Sequence, residues 1–226
     1  MSKVLGLVIF SLLFFLNANS EVLKVFDFTN EELKTLEVRK IKGETLWSIG
    51  SNENGNFLKA EANAVASGLG KQIDIDLNKT PFLNISWKVE KDLKGIIENS
   101  KKGHDYAARV FVIKKTGATA LSNRALNYVF SSNNEINQNW FSPYTKKSVD
   151  YILSTTKKNF NEWVTVKVNV KEHFKKFHNL DVDSLDGIAL MTDTIILNCS
   201  LSLTIKIFFS LVTKLLIFNN FFHQDC

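Results

Sequence analysis

No cysteine occurs between Met1 and Asn198; the two in the chain, Cys199 and Cys226, lie near its end. A disulfide framework is therefore excluded for the body, which must rest on its buried core. Proline is scarce as well, at Pro81 and Pro143 only, so few segments are broken by a residue that cannot donate to a ladder. The chain has no glycine-rich phosphate loop, no readable Ser-His-Asp or Cys-His signature, no internal repeat and no low-complexity linker. His104, His173, His178 and His223 lack metal-ligand spacing, so neither a metal nor another cofactor is expected, and His173 and His178 are expected to be exposed.

A strong charge of one sign is also missing. Residues 21 to 194 carry 25 basic and 22 acidic side chains, a net +3. The lysine pairs Lys101-Lys102, Lys114-Lys115, Lys146-Lys147, Lys157-Lys158 and Lys175-Lys176 are scattered, which reads as solvated loops and predicts no nucleic-acid partner.

At the start, Lys3, the apolar run Val4 to Leu16 and the small residues Ala18 and Ser20 form a secretory signal peptide over residues 1–20. Its thirteen apolar residues fall short of the ~20 a spanning helix needs, so cleavage after Ser20 and export are expected. The body then shows short runs divided by turn signals. Ile73, Ile75 and Leu77 alternate with polar residues, as do Leu83, Ile85, Trp87 and Val89 after Pro81. Tyr106 to Ile113 is the strongest strand, Leu126 to Ser131, Val149 to Thr155 and Trp163 to Val170 follow, and Leu185 to Met191 ends the series. Phe174 and Phe177 among lysines mark one short helix near Val170 to His178. Strands at this spacing predict a single all-β domain, an antiparallel β-sandwich over residues 21–194.

The chemistry breaks after Thr194. Residues 195–226 carry only Lys206, Lys214 and Asp225 among Leu, Ile and Phe. As a membrane anchor, Ile195 to Phe222 is long enough to span a bilayer, but a lysine near the centre costs ~2.5 to 3.5 kcal/mol. A membrane partner is expected only if that anchor is real.

Several stretches resemble the family of exported bacterial proteins DUF3047, whose function is unassigned. They are Ala66-Ser67-Gly68-Leu69, Pro81-Phe82-Leu83 with Trp87-Lys88-Val89, the run from Gly103-His104-Asp105 to Val112, Leu126 to Phe130, Trp163, Asn169-Val170, and Gly187 to Thr194. The resemblance implies a jelly-roll-like or lectin-like sandwich in the periplasm or cell envelope, and no activity. The family's paired acids stand here as His104-Asp105. After Thr194 the family text resembles Asp-Asn with polar residues and then a closing strand with paired tyrosines. One coding string for Asp-Asn-Ser-Lys-Leu, with its first base deleted, reads as Ile195-Ile196-Leu197-Asn198-Cys199. A string for Tyr-Tyr-Lys-Asn-Ile-Phe fits Leu203 to Phe208 at the same offset. The tail is therefore expected to be frameshifted, with the closing strand lost.

Arg109 on an otherwise apolar strand needs a partner, because charged groups are rarely buried alone. It serves either a polar-ligand groove or a structural pair with Asp74, Asp76 or Asp193. Asp105 shares its strand face but lies ~13 Å away, at ~3.3 Å per residue. Of the rings that could stack on sugars, most belong to the core, whereas Trp140 and Tyr144 fall in the polar segment 137–145. Asp105 with Asp193 could supply the two acids a glycoside hydrolase holds about 5 to 9.5 Å apart. The expected function is binding of a polar ligand such as glycan through Asp105, Arg109, Trp140, Tyr144 and Asp193. A glycan-acting hydrolase or lyase of the same fold, or a structural envelope module, is the alternative.

Overall fold

The computed structural model describes residues 22–194 and the backbone of 200–210. The signal peptide expected over residues 1–20 lies outside the described residues, as do 195–199 and 211–226 of the tail. Two sheets face each other. The first runs in the order β11 (Val164–Asn169), β6 (Phe82–Val89), β13 (Ser200–Ser210), β4 (Gly55–Asn63) and β3 (Leu46–Asn52), with β1 (Val22–Lys24) also on β13. The second runs in the order β2 (Glu37–Lys42), β5 (Ala66–Asp76), β12 (Ser184–Asp193), β7 (Ala108–Lys114), β8 (Arg124–Ser131), β10 (Thr145–Thr155) and β9 (Asn139–Ser142).

Period-2 alternation builds the core between them. Leu83, Ile85, Trp87 and Val89 of β6 are fully buried, facing Ala108, Val110 and Val112 of β7 and Leu126, Tyr128 and Phe130 of β8 across the sandwich. Trp87 donates its indole N–H to Ser154 Oγ at 2.8 Å, which meets its polar need inside an apolar layer. Trp87 and Tyr128 are therefore core residues, whereas Trp163 is 39% exposed.

Three expectations are corrected here. The chain has three helices among the described residues rather than one: α1 (Asn30–Thr35), α2 (Thr156–Asn159) and α3 (Val170–His178). Thr29 caps α1, its hydroxyl accepting from Glu32 N–H at 3.1 Å, a Thr-x-x-Glu start that the sequence displays openly. The sandwich is not wholly antiparallel, because β10 pairs β8 in parallel, Asp150 opposite Asn127 and Ile152 opposite Val129. The thirteen residues between them, 132–144, including β9, give the crossover that a parallel pair needs.

The third correction concerns the closing strand, whose place is filled. β13 lies between β4 and β6, with Leu203, Ile205, Ile207 and Phe209 in register with the buried Val89, Trp87, Ile85 and Leu83. The reason is legible in the tail itself: Leu201, Leu203, Ile205, Ile207 and Phe209 alternate with Ser202, Thr204, Lys206 and Phe208, a period of two inside an apolar stretch. No helix among the described residues is long and apolar enough to cross a membrane.

Candidate functional site

The loop between β6 and β7, residues 90–107, crosses the outer face of the second sheet. Gly103 lets it close: a Cβ there would meet backbone atoms of Ile97 at 2.5 to 2.7 Å. Glu98, 1% exposed, ties the loop to the end of β8, accepting from Ser132 N–H at 2.8 Å, from the Ser131 hydroxyl and from the side-chain amides of Asn133 and Asn134. Tyr106 then packs against Val129, Ile152 and Trp140, a small apolar cluster outside the main core.

Beside that cluster lies a buried polar network. Arg109 leaves β7 on its outer face and donates from Nη2 to Asp193 Oδ2 and to the His104 carbonyl. Tyr106 N–H donates to the other Asp193 oxygen at 2.7 Å. Arg109 Nη1 lies 3.2 Å from His104 Nδ1, and His104 Nε2 lies 2.7 Å from Asp150 Oδ2. A guanidinium can only donate, so Nδ1 accepts and the imidazole proton sits on Nε2, donated to Asp150. Asn127 donates to the second Asp150 oxygen at 2.7 Å. Arg109 also lies over the Tyr106 ring, 4.6 Å from its centroid.

Burial dominates the electrostatics. It pushes the Asp193 carboxyl up to about 7, against the pull of Arg109 and Tyr106 N–H. Burial works against the Arg109 cation, but Asp193, Asp150 and Asp105 outweigh it and hold the group above its ordinary value. His104 is lowered, chiefly by burial, so it stays neutral.

All five residues expected at the site converge here. Asp105, Arg109 and Asp193 are each 4% exposed or less, and Asp105 lies within electrostatic reach of the other two. Of the three acids open to Arg109, the structure selects Asp193. Trp140 stands on β9, half-buried against Tyr106, so part of the segment taken as loop is a strand. Tyr144, in the β9–β10 turn, is 63% exposed. Its ring stands edge-on to His104, centroids 5.3 Å apart, and its hydroxyl donates to the Lys101 carbonyl at 3.1 Å.

Sequence reasoning missed His104, Asp150, Asn127 and Glu98 as members. The His104-Asp105 pair was the available signal, while Asp150 and Asn127 meet only through the parallel register of β8 and β10. His173 and His178, expected to be exposed, are half-buried: His173 packs on Tyr151 at 4.7 Å, and burial lowers it to about 4.

A β-sandwich with a buried polar network on the outer face of its second sheet defines the class. The chain belongs to the protein family of unknown function DUF3047, whose profile matches residues 31–198. No curated protein matches it. Similar solved structures include a family 30 carbohydrate-binding module, with 8% identity, TM-score 0.50, and 88% of this chain and 91% of that one covered. The family 30 module of a Clostridium thermocellum cellulosomal cellulase has 8% identity and TM-score 0.47, covering 80% and 92%. A cellulase derived from that of Rhodothermus marinus has 9% identity and TM-score 0.44, covering 85% and 99%. At these identities the likeness shows the fold alone.

Proposed function

We propose that this protein is an exported glycan-binding module whose ligand stacks on Tyr144, with Trp140 and the backbone of the 97–103 turn beside it. One observation carries the reading. An aromatic ring 63% exposed is nevertheless clamped at its edge by His104 and at its hydroxyl by Lys101, and His104 is itself fixed by Asp150 and Arg109. A ring held in place before the ligand arrives loses little entropy on binding. Asp105, Arg109 and Asp193 then act as support from beneath. A hydrolase needs acids that reach substrate, and Asp193 is engaged by Arg109 and Tyr106, Asp150 by His104 and Asn127, which favours binding over hydrolysis.

The test is a glycan array probed with the parent protein and Tyr144→Ala. Binding to a defined glycan subset is expected, with at least a tenfold loss in the variant, as befits an aromatic anchor. No glycan bound by the parent, or equal binding by both, would overturn the proposal.

Export to the periplasm or envelope is supported by the pattern of residues 1–20. We also infer that residues 195–226 are translated out of frame, which the end of the family match at residue 198 supports. β13 is then a substitute that keeps the required alternation. The gene, read in its other frames after Thr194, is expected to encode an aromatic closing strand; a gene with none overturns the inference.

A further inference from the structure

Two lysine pairs that lie far apart in the sequence meet at Tyr144. Lys101 and Lys102 sit in the turn that this ring holds: the Tyr144 hydroxyl donates to the Lys101 carbonyl at 3.1 Å, and Lys101 Nζ stands 5.9 Å from the ring centroid. Lys146 and Lys147 follow the ring at the start of β10. The strand bulges there. Thr145 faces Ser142 and Val149 faces Phe141, so the residues between them stand out of the β9 ladder. All four lysines are exposed. None makes an ion pair among the described residues, although Lys147 Nζ donates to the Leu121 carbonyl.

The charge around them has one sign. Residues 99–149 carry eight basic and two acidic side chains, +6 against +3 for residues 21–194 as a whole, so the remainder of that body is net −3. The two acids are Asp105, 3% exposed, and Glu135, which Lys157 pairs at 2.9 Å. Asp150 and Asp193 beneath the ring are buried as well, and are engaged by His104, Asn127, Arg109 and Tyr106. No exposed acid of this segment is therefore left to answer the four ammonium groups. A one-signed patch beside a fixed, exposed ring gathers anions and sets the register in which they bind.

We propose that the glycan bound at Tyr144 is a polyuronate: one sugar stacks on the ring, and the carboxylates of its neighbours meet Lys101 and Lys102 on one side and Lys146 and Lys147 on the other. The inference rests on the Tyr144 reading and names its ligand class. Lysine ammonium groups are point charges on flexible stems, suited to single charges spread along a chain. The guanidinium forks that would grip a dense phosphate or sulfate are occupied, Arg109 by Asp193 and the His104 carbonyl, Arg124 by the Ser122 and Asn123 carbonyls. A nucleic acid would call for a series of stacking platforms, whereas this face holds one clamped ring.

The test is calorimetric titration of the processed protein with oligogalacturonate, oligomannuronate and the methyl ester of oligogalacturonate, which keeps the rings and removes the charge. At least one acid is expected to bind, and the ester at least tenfold more weakly than its acid if that acid is the ligand. Raising the salt from about 50 to about 300 mM should weaken binding roughly tenfold, because exposed charges are screened. Lys101→Gln with Lys102→Gln, and Lys146→Gln with Lys147→Gln, should each weaken it by a similar factor. Arg39→Gln with Lys42→Gln removes the same charge from β2, at the opposite edge of the sheet, and should leave it unchanged.

Binding of neither acid, an ester bound as tightly as its acid, indifference to salt, full affinity in both lysine variants, or an equal loss in the β2 variant would overturn the proposal. So would dextran sulfate or a single-stranded oligonucleotide bound as tightly as the uronate. The two readings fail separately. A neutral glycan lost in Tyr144→Ala, with no response to either acid, removes only the polyuronate; acid binding that needs the lysines but survives Tyr144→Ala removes only the stacking ring.

Discussion

A chain stopped after Thr194 is expected to lose cooperative folding. β13 is an interior strand: it pairs β6 over Phe82–Val89 and β4 over Leu58–Asn63. Without it the first sheet divides, two rows of backbone groups lose their partners, and one flank of Leu58, Leu83, Ile85 and Trp87 opens to water. Against a whole stability of ~5 to 15 kcal/mol that loss is decisive. Stopping after Ser210 should do the opposite. It removes Leu211 to Cys226, a largely apolar stretch prone to association, and leaves β13 intact. Thermal melts with size-exclusion chromatography separate the cases. A sharp transition in the Thr194 truncation would show that β13 is dispensable.

Arg109→Leu is expected to destabilise the fold by ~3 to 5 kcal/mol, because it leaves Asp193 buried without its cation. The double variant Arg109→Leu with Asp193→Leu should recover part of that loss, since an apolar pair carries no desolvation penalty. Denaturant melts of the parent, both single variants and the double give the coupling directly. Additive losses would mean that the pair is not coupled. The pH dependence has a definite sign. Asp193 is raised to about 7 in the fold, whereas the unfolded carboxyl titrates near 3.8. Its contribution is therefore complete below about 4 and is lost as pH rises toward 7. Asp193→Asn should remove that decline, a difference visible between parent and variant melts across pH 4 to 7.

Much of the architecture was open to reading because its cause is local. The alternation of Phe82–Val89 and Val164–Asn169, and the change of period at Val170, each set one element without reference to distant chain. β13 was hidden for a different reason. Its alternation lies within a tail whose average is so apolar that composition overwhelmed periodicity, and an expectation of lost sequence left no strand to look for. The parallel pairing of β8 and β10 has no local signature at all, because either direction buries the same alternating residues.

The site was half legible on the same grounds. Arg109 on an apolar strand had to have a partner, and Asp193 was among its candidates. Its other neighbours could not be ranked. Asp150 and Asn127 are 23 residues apart in sequence, and His104 reaches Asp150 across 46. These contacts are products of sheet register and of the loop that Gly103 and Glu98 pin down. Tyr144 was singled out as an aromatic in a polar segment, but the edge-on His104 that holds it depends on the same network.

The four tryptophans make the glycan reading directly measurable, because each indole N–H reports a different place: Trp47 the strand β3, Trp87 the core, Trp140 the Tyr106 cluster beside the polar network and Trp163 the residue before β11. A two-dimensional NMR titration with an array-selected glycan is expected to shift Trp140 together with the backbone signals of residues 101 and 144, and to leave Trp87 unmoved. Saturable glycan binding that leaves Trp140 and Tyr144 untouched would contradict the assignment of that surface.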